Sequence, residues 1–109
     1  MSRYDVWLGN NRGVLREHTT CTPSDDQFWD WSVDDLARYD VPAILDFVTR
    51  TTGYEKAVWV GHSQGNAQAF MSFCTDAAAA AKVALLVALA PVAVVGELPY
   101  ALIDAHLTL

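Results

Sequence analysis

The sequence predicts one α/β domain in which a mostly parallel sheet is flanked by helices. Segments typical of strands and helices alternate along the chain in the order strand, helices, strand, helix, strand. The two later strand candidates, residues 57–60 and 83–90, are apolar on both faces, as parallel strands covered by helices usually are. A length of 109 residues with 52% apolar side chains allows one modest core and no second domain.

The N-terminal part of the chain contains a strand candidate and the start of a helix. Aromatic and β-branched side chains alternate over residues 4–8 and stop at the Gly- and Asn-rich residues 9–13, so we expect a strand followed by a loop. This loop continues to about Phe28. Ser32, with Asp35 three residues later, predicts a near capping box at the start of a short helix.

A second helix and a short strand are predicted in the middle of the chain. Pro42 suits the first turn of this helix, and Gly53 is its natural end. Its apolar stripe, which we expect to be buried, consists of Ile44, Leu45, Phe47 and Val48. Residues 57–60 then form a short apolar strand.

A third helix and a third strand complete the pattern. From Gly65 to about Asp76, apolar residues recur at helical spacing, which predicts a helix; they are Ala67, Phe70, Met71 and Cys74. The apolar run at residues 83–90 ends at Pro91 and predicts a strand. Residues 77–96 are about long enough to span a bilayer, but Lys82 and Pro91 interrupt them, which favours the buried strand.

Charge and cysteine content argue against several classes of function. Thirteen acidic and seven basic residues give a net charge of −6, and no Lys/Arg cluster occurs. We therefore do not expect nucleic acid as a partner, because binding to phosphates requires basic charge. Cys21 and Cys74 lie far apart and form no C-x-x-C, so they predict two buried thiols and neither a disulfide framework nor a metal site.

The stretch KAVWVGHSQGNAQAF, residues 56–70, contains the pattern G-x-S-x-G between a strand and a helix candidate. On such a turn the hydroxyl of Ser63 projects clear of the sheet, and Gly61 and Gly65 let the strand and helix approach without a Cβ clash. The N–H of Gln64, at the helix N-terminus, is an expected donor to an oxyanion. The pattern predicts a nucleophile elbow with Ser63 as nucleophile; the alternative is a glycine-rich turn with an incidental serine.

His62 is expected to be structural. A neighbouring side chain on so tight a turn points away from the serine hydroxyl, so we do not assign it as the catalytic base.

Four blocks of the sequence resemble the acid lipase family of α/β-hydrolases, which contains gastric and lysosomal acid lipases and yeast steryl ester hydrolases. These blocks are YDVWLGNNRG, FWDWSVDDLARYDVPAILDFV, VWVGHSQGNAQAF and ALAPVA, in the family's order, from Tyr4 to about Ala93. The resemblance implies a partial α/β-hydrolase core and a serine ester hydrolase. Its substrates would be neutral lipids, triacylglycerols or sterol esters, met at a lipid–water interface, and the reaction would need no cofactor and no metal.

The resemblance also assigns roles to individual residues. It implies Ser63 as the nucleophile and the backbone N–H of Gln64 as one donor of the oxyanion hole. Two further groups match family segments to which we assign only structural roles: Asn10, Arg12 and Gly13 in a loop, and Trp29, Asp30 and Trp31 in a segment beside the active site.

The chain departs from the family in the groups that would assist Ser63. The second oxyanion donor comes from a His-Gly loop upstream of the strand at residues 4–8, and this sequence does not contain that loop. Candidate acids and bases after Ser63 are Asp76, Glu97, Asp104 and His106. Asp76 is expected to end the elbow helix, Asp104 and His106 lie too close in one segment, and His18 is expected to be solvated or structural. We therefore expect the catalytic Asp and His to be absent and interpret the chain as an internal piece of a lipase.

Residues 1–95 are expected to form the partial core with the elbow, and residues 96–109 the start of a cap or lid. Two other functions stay open: a non-catalytic lipid-binding or interaction module derived from a lipase, and another reaction of the same fold, such as that of a thioesterase or an acyltransferase. The location is not predicted. The family suggests a secreted, lysosomal or membrane-associated protein, whereas the sequence shows no signal peptide.

Overall fold

The computed structural model describes residues 4–14 and 20–93. Its elements are α1 (Asp26–Trp29), α2 (Val33–Asp35), a π-helical turn (Leu36–Asp40), α3 (Val41–Thr52), β1 (Ala57–His62), α4 (Gln64–Thr75), α5 (Ala77–Ala81) and β2 (Val83–Leu89). The predictions for His18 and for Glu97, Asp104 and His106 lie outside the described residues, as does the proposed cap segment.

β1 and β2 form a parallel two-stranded sheet within the described residues, and α4 and α5 make the crossover between the strands. Val60 lies opposite Val87, and His62 lies opposite Leu89. One face of the sheet packs on a core of Val41, Leu45 and Ala79, with Ala57, Trp59, Phe73 and Val83 against it. A parallel sheet flanked by helices confirms the predicted α/β class.

The strand predicted at residues 4–8 is wrong. These residues have no regular structure, and Tyr4, Val6 and Leu8 are exposed. The ring of Trp7 contacts Phe47 edge to face, at 5.7 Å between centroids. A strand requires a neighbour for its backbone N–H and C=O groups, and the sheet of the described residues contains only β1 and β2.

The two helices predicted between Ser32 and Gly53 are one continuous helical segment, from Val33 to Thr52. The N–H of Val41 donates to the carbonyl of Leu36, five residues back, which is the π-helical bond. Pro42 explains the turn, because its nitrogen has no hydrogen and its ring clashes with the carbonyl four residues earlier in a regular α-helix. The segment ends as predicted at Gly53, with φ 76°.

Several burial predictions need correction. In α3 the buried residues are Val41 and Leu45, whereas Phe47 is 56% exposed. Cys74 is exposed and Cys21 half-buried, so the prediction of two buried thiols is wrong.

Among the residues that the structure describes, no helix has the length and apolar character that crossing a bilayer requires.

The helix start at Ser32 is confirmed. The Asp35 carboxylate accepts hydrogen bonds from the Ser32 N–H at 2.9 Å and from its hydroxyl at 3.1 Å. These two bonds stabilise the ionised carboxyl and lower the pKa of Asp35. The ionised carboxyl therefore stabilises the folded state.

We expect Asp35→Asn to lower the melting temperature at pH 7. Because the pKa of Asp35 is depressed by folding, this stabilisation is present above its ordinary value of 3.8 and is lost as the pH falls through the folded-state pKa. Thermal melts at pH 7 and at successively lower pH should show the difference from wild type shrinking below pH 3.8. Asp34→Asn, in the same turn, is the control for loss of charge, and an identical pH profile for both variants would contradict the role of the Ser32 contacts.

Candidate active site

Ser63 lies at the turn between β1 and α4, with φ 50° and ψ −114°. A non-glycine residue in this region costs on the order of 1–3 kcal/mol and persists only where surrounding contacts hold it. Among the described residues, Ser63 and Ala90 are the non-glycine residues with positive φ. The strand-turn-helix context predicted for the G-x-S-x-G pattern is thus present.

Gly61 allows β1 and α4 to approach each other. A Cβ at this position would overlap the side-chain oxygen of Asn66 and come within 2.9 Å of the Gly65 carbonyl oxygen. At Gly65 an added Cβ would meet no described atom within 4 Å. The close approach that the sequence pattern ascribes to both glycines therefore depends on Gly61.

The carbonyl of Leu89, at the end of β2, joins the turn to the neighbouring strand. It accepts the backbone N–H of Ser63 at 3.1 Å and the side-chain amide of Asn66 at 2.7 Å. Within the turn, the Asn66 N–H donates to the Ser63 carbonyl at 3.0 Å. The indole of Trp59, on β1, donates to the Gly65 carbonyl at 3.2 Å. Both strands thereby hold the first turn of α4.

Gln64 is the first residue of α4. The N–H groups of the first helical turn have no acceptor within the helix, and the positive end of the helix dipole lies there. The backbone of Gln64 is therefore in a position where an anion can be bound next to Ser63.

A cavity of about 340 Å³ adjoins Ser63 and Gln64. Its other lining residues are apolar: Val33, Ala67, Phe70, Met71, Val92 and Ala93. Another concavity, of about 510 Å³, is lined by residues of α1 and by Asp30, and no residue of the turn contributes to it. The apolar cavity is therefore the one that chemistry at Ser63 could use.

The apolar stripe of α4 that the sequence shows is not its buried face. Three residues of its apolar stripe, Ala67, Phe70 and Met71, line the cavity instead. The buried residues of α4 are Asn66, Gln68, Ala69 and Ser72. Small and polar residues at positions 66, 69 and 72, at helical spacing after the turn, were the signal that this face packs closely.

Asp76 and His62 lie at opposite ends of α4. The Asp76 carboxylate caps α5, accepting the N–H groups of Ala78 and Ala79 at 2.8 and 3.0 Å. It follows α4, whose 12 residues extend about 18 Å. His62, the one histidine among the described residues, is exposed at the end of β1.

The loop that contains Asn11, Arg12 and Gly13 is fixed against the helices. Asn11 and Gln68 form a reciprocal amide pair, with hydrogen bonds of 2.9 and 3.3 Å. The Asp40 carboxylate accepts hydrogen bonds from the backbone N–H and from the Nε–H of Arg12, both at 2.8 Å. Gly13 has φ 80°, and an added Cβ would lie 2.8 Å from the Trp31 ring. These contacts fix the conformation of the loop.

Comparison with known proteins agrees with this geometry. The sequence profile of the alpha/beta hydrolase fold matches residues 2–105, and the chain belongs to this family. The predicted resemblance to gastric lipases is also confirmed. The chain is 48% identical over 94 residues to gastric triacylglycerol lipase of Mus musculus. The matched stretch covers 84% of the chain and 24% of that lipase.

Two other relatives are also lipases. Lipase member K of Homo sapiens is 44% identical over 96 residues, or 86% of the chain and 24% of that protein. A probable lipase of Schizosaccharomyces pombe is 47% identical over 90 residues, or 81% of the chain and 19% of that protein. The chain thus spans about a quarter or less of the length of these curated relatives.

Substitution by alanine is expected to destabilise the fold at Gly61 and not at Gly65. Gly61→Ala forces a Cβ into the Asn66 side chain and the α4 backbone, at a cost of about 1–3 kcal/mol in unfolding free energy. Gly65→Ala meets no described atom and favours the helix, so it is neutral or stabilising by up to about 1 kcal/mol. Urea unfolding of both variants measures the difference, and equal destabilisation would show that Gly61 has no special steric role.

Proposed function

We propose that this chain carries the nucleophile region of a serine ester hydrolase of the lipase type, with Ser63 as nucleophile. One observation carries the proposal: the backbone of Ser63 is held at positive φ between β1 and α4, directly beside an apolar cavity. The lipase relatives support the same reaction. Residues 1–95 would form a partial hydrolase core, and residues 96–109 the start of a cap.

In the proposed reaction the Ser63 hydroxyl attacks the carbonyl carbon of an ester and loses its proton to a histidine base. The carbonyl oxygen becomes an oxyanion, which the N–H of Gln64 stabilises at the α4 N-terminus. The alcohol leaves with a proton, and water then hydrolyses the acyl-serine to release the acid. Neither His62 nor Asp76 fits the roles of base and acid, so we propose that the triad is incomplete within this chain.

The proposed substrates are neutral-lipid esters, either triacylglycerols or sterol esters, bound at a lipid–water interface. Ala67, Phe70 and Met71 give the cavity an apolar wall, which suits an acyl chain. The name of one relative, gastric triacylglycerol lipase, supports the same class. The net charge of −6 argues against nucleic acid, and the proposed chemistry requires no metal or other cofactor.

A non-catalytic lipid-binding or interaction module is the second candidate. The observation that favours it is the outer face of the sheet, where the apolar residues Val58, Val60 and Leu85 are each more than half exposed. Exposed apolar surface of this kind is typical of binding surfaces. The two candidates differ in the reactivity of Ser63.

Reaction with a fluorophosphonate tests the proposed nucleophile. We expect slow covalent labelling at Ser63 and not at the exposed Ser24 or Ser32, because a preorganised turn with one oxyanion donor retains part of the rate without a complete triad. Peptide mass spectrometry locates the label, and Ser63→Ala should abolish it. Absence of selective labelling in the folded chain would favour the non-catalytic module.

Filling the cavity should distinguish long from short acyl chains. Ala67→Trp places a large ring in the cavity beside Ser63, so we expect at least a fivefold loss of labelling by a fluorophosphonate with a long alkyl chain, about 1 kcal/mol. A short-chain probe should lose much less. Cys74→Trp, on an exposed position of the same helix, is the control. Equal losses for both probes would contradict an acyl-binding role of the cavity.

A further inference from the structure

Asn66 is a fully buried polar residue in the first turn of α4. Its side-chain amide donates to the Leu89 carbonyl at 2.7 Å, and its backbone N–H donates to the Ser63 carbonyl at 3.0 Å. A carbonyl oxygen can only accept, so this contact determines which way the amide points. Asn66 therefore connects the turn at Ser63 to the end of β2.

The same carbonyl also accepts the N–H of Ser63, at 3.1 Å. Ser63 has positive φ, and so has Ala90, the residue directly after Leu89. The Leu89 carbonyl is therefore next to two residues with unfavourable backbone conformations: Ala90 follows it in sequence, and Ser63 donates a hydrogen bond to it. Without the Asn66 amide, the Leu89 carbonyl would keep one of its two hydrogen bonds, and the N–H of Ser63 alone would hold the turn against β2.

We propose that Asn66 is a positioning residue for Ser63. Its hydrogen bond to Leu89 holds α4 against β2, and with it the turn whose residues Ser63 and Gln64 both line the cavity. The consequence for reactivity rests on the proposed function of Ser63, whereas the consequence for the geometry of the turn does not.

The kinetic test uses Asn66→Leu and Asn66→Ala in the full chain. Leucine has the branched shape of asparagine but no group that can donate to the Leu89 carbonyl, and alanine removes the branch as well. We expect the saturating rate constant for fluorophosphonate labelling of Ser63 to fall about tenfold, as loss of a buried hydrogen bond predicts. The half-saturating probe concentration should not change, because Asn66 does not line the cavity.

Ser72→Ala is the matched control. Ser72 is also fully buried on α4, but its hydroxyl has no hydrogen-bond partner among the described residues. Both labelling constants should stay at the wild-type values in this variant. A loss equal to that of the Asn66 variants would show that any change on the buried face lowers reactivity, and would overturn the proposal.

Amide hydrogen exchange measured by NMR tests the geometry independently of reactivity. We expect both Asn66 variants to speed exchange at the Ser63 N–H about tenfold relative to Leu45, inside α3. If wild type is not labelled, the proposed function fails and exchange alone decides the role of Asn66. Wild-type exchange at Ser63 in folded variants would overturn the proposal. Global unfolding of both variants, with Ser72→Ala folded, would also overturn a role confined to the turn.

Discussion

The carbonyl of Leu89 is the point on which the geometry of the turn depends. It accepts the Ser63 N–H and the Asn66 side-chain amide, and Ala90, with positive φ, follows it directly. Each unfavourable backbone conformation costs on the order of 1–3 kcal/mol, and a typical hydrogen bond contributes about 1 kcal/mol net. The two hydrogen bonds to the Leu89 carbonyl are therefore too weak to offset the conformational cost of Ser63 and Ala90 alone. The packing around the turn must contribute as well.

That packing comes from the register of the sheet. β1 and β2 are parallel, so their carboxyl ends lie at the same edge, with His62 opposite Leu89. Trp59 points to the core, where its ring meets Phe73 edge to face and its indole N–H reaches the Gly65 carbonyl. A slip of one residue would turn Trp59 to the opposite face and move the Leu89 carbonyl away from Ser63. The hydrophobic core thereby determines the geometry of the polar contacts.

Features encoded by a few neighbouring residues were predictable from the sequence. The helix start at Ser32, its end at Gly53, the strand β2 and the turn between β1 and α4 are of this kind. Features that depend on a distant partner were not. Residues 4–8 have the pattern of a strand but no neighbouring strand among the described residues, and the π-helical turn before Pro42 arises because one helix continues through a proline.

The orientation of α4 is another feature that depends on distant partners. Hydrophobic periodicity identifies an apolar face but does not say whether that face meets the core or a ligand. The first turn of α4 lies close to Gly61 of β1, where Asn66 is buried, and further along the helix Phe73 packs against Trp59. Phe70 and Met71 line the cavity beside Ser63. The same helix therefore presents Phe73 to the core and Phe70 and Met71 to the cavity, a division that follows from its position on the sheet and not from the spacing of its apolar residues.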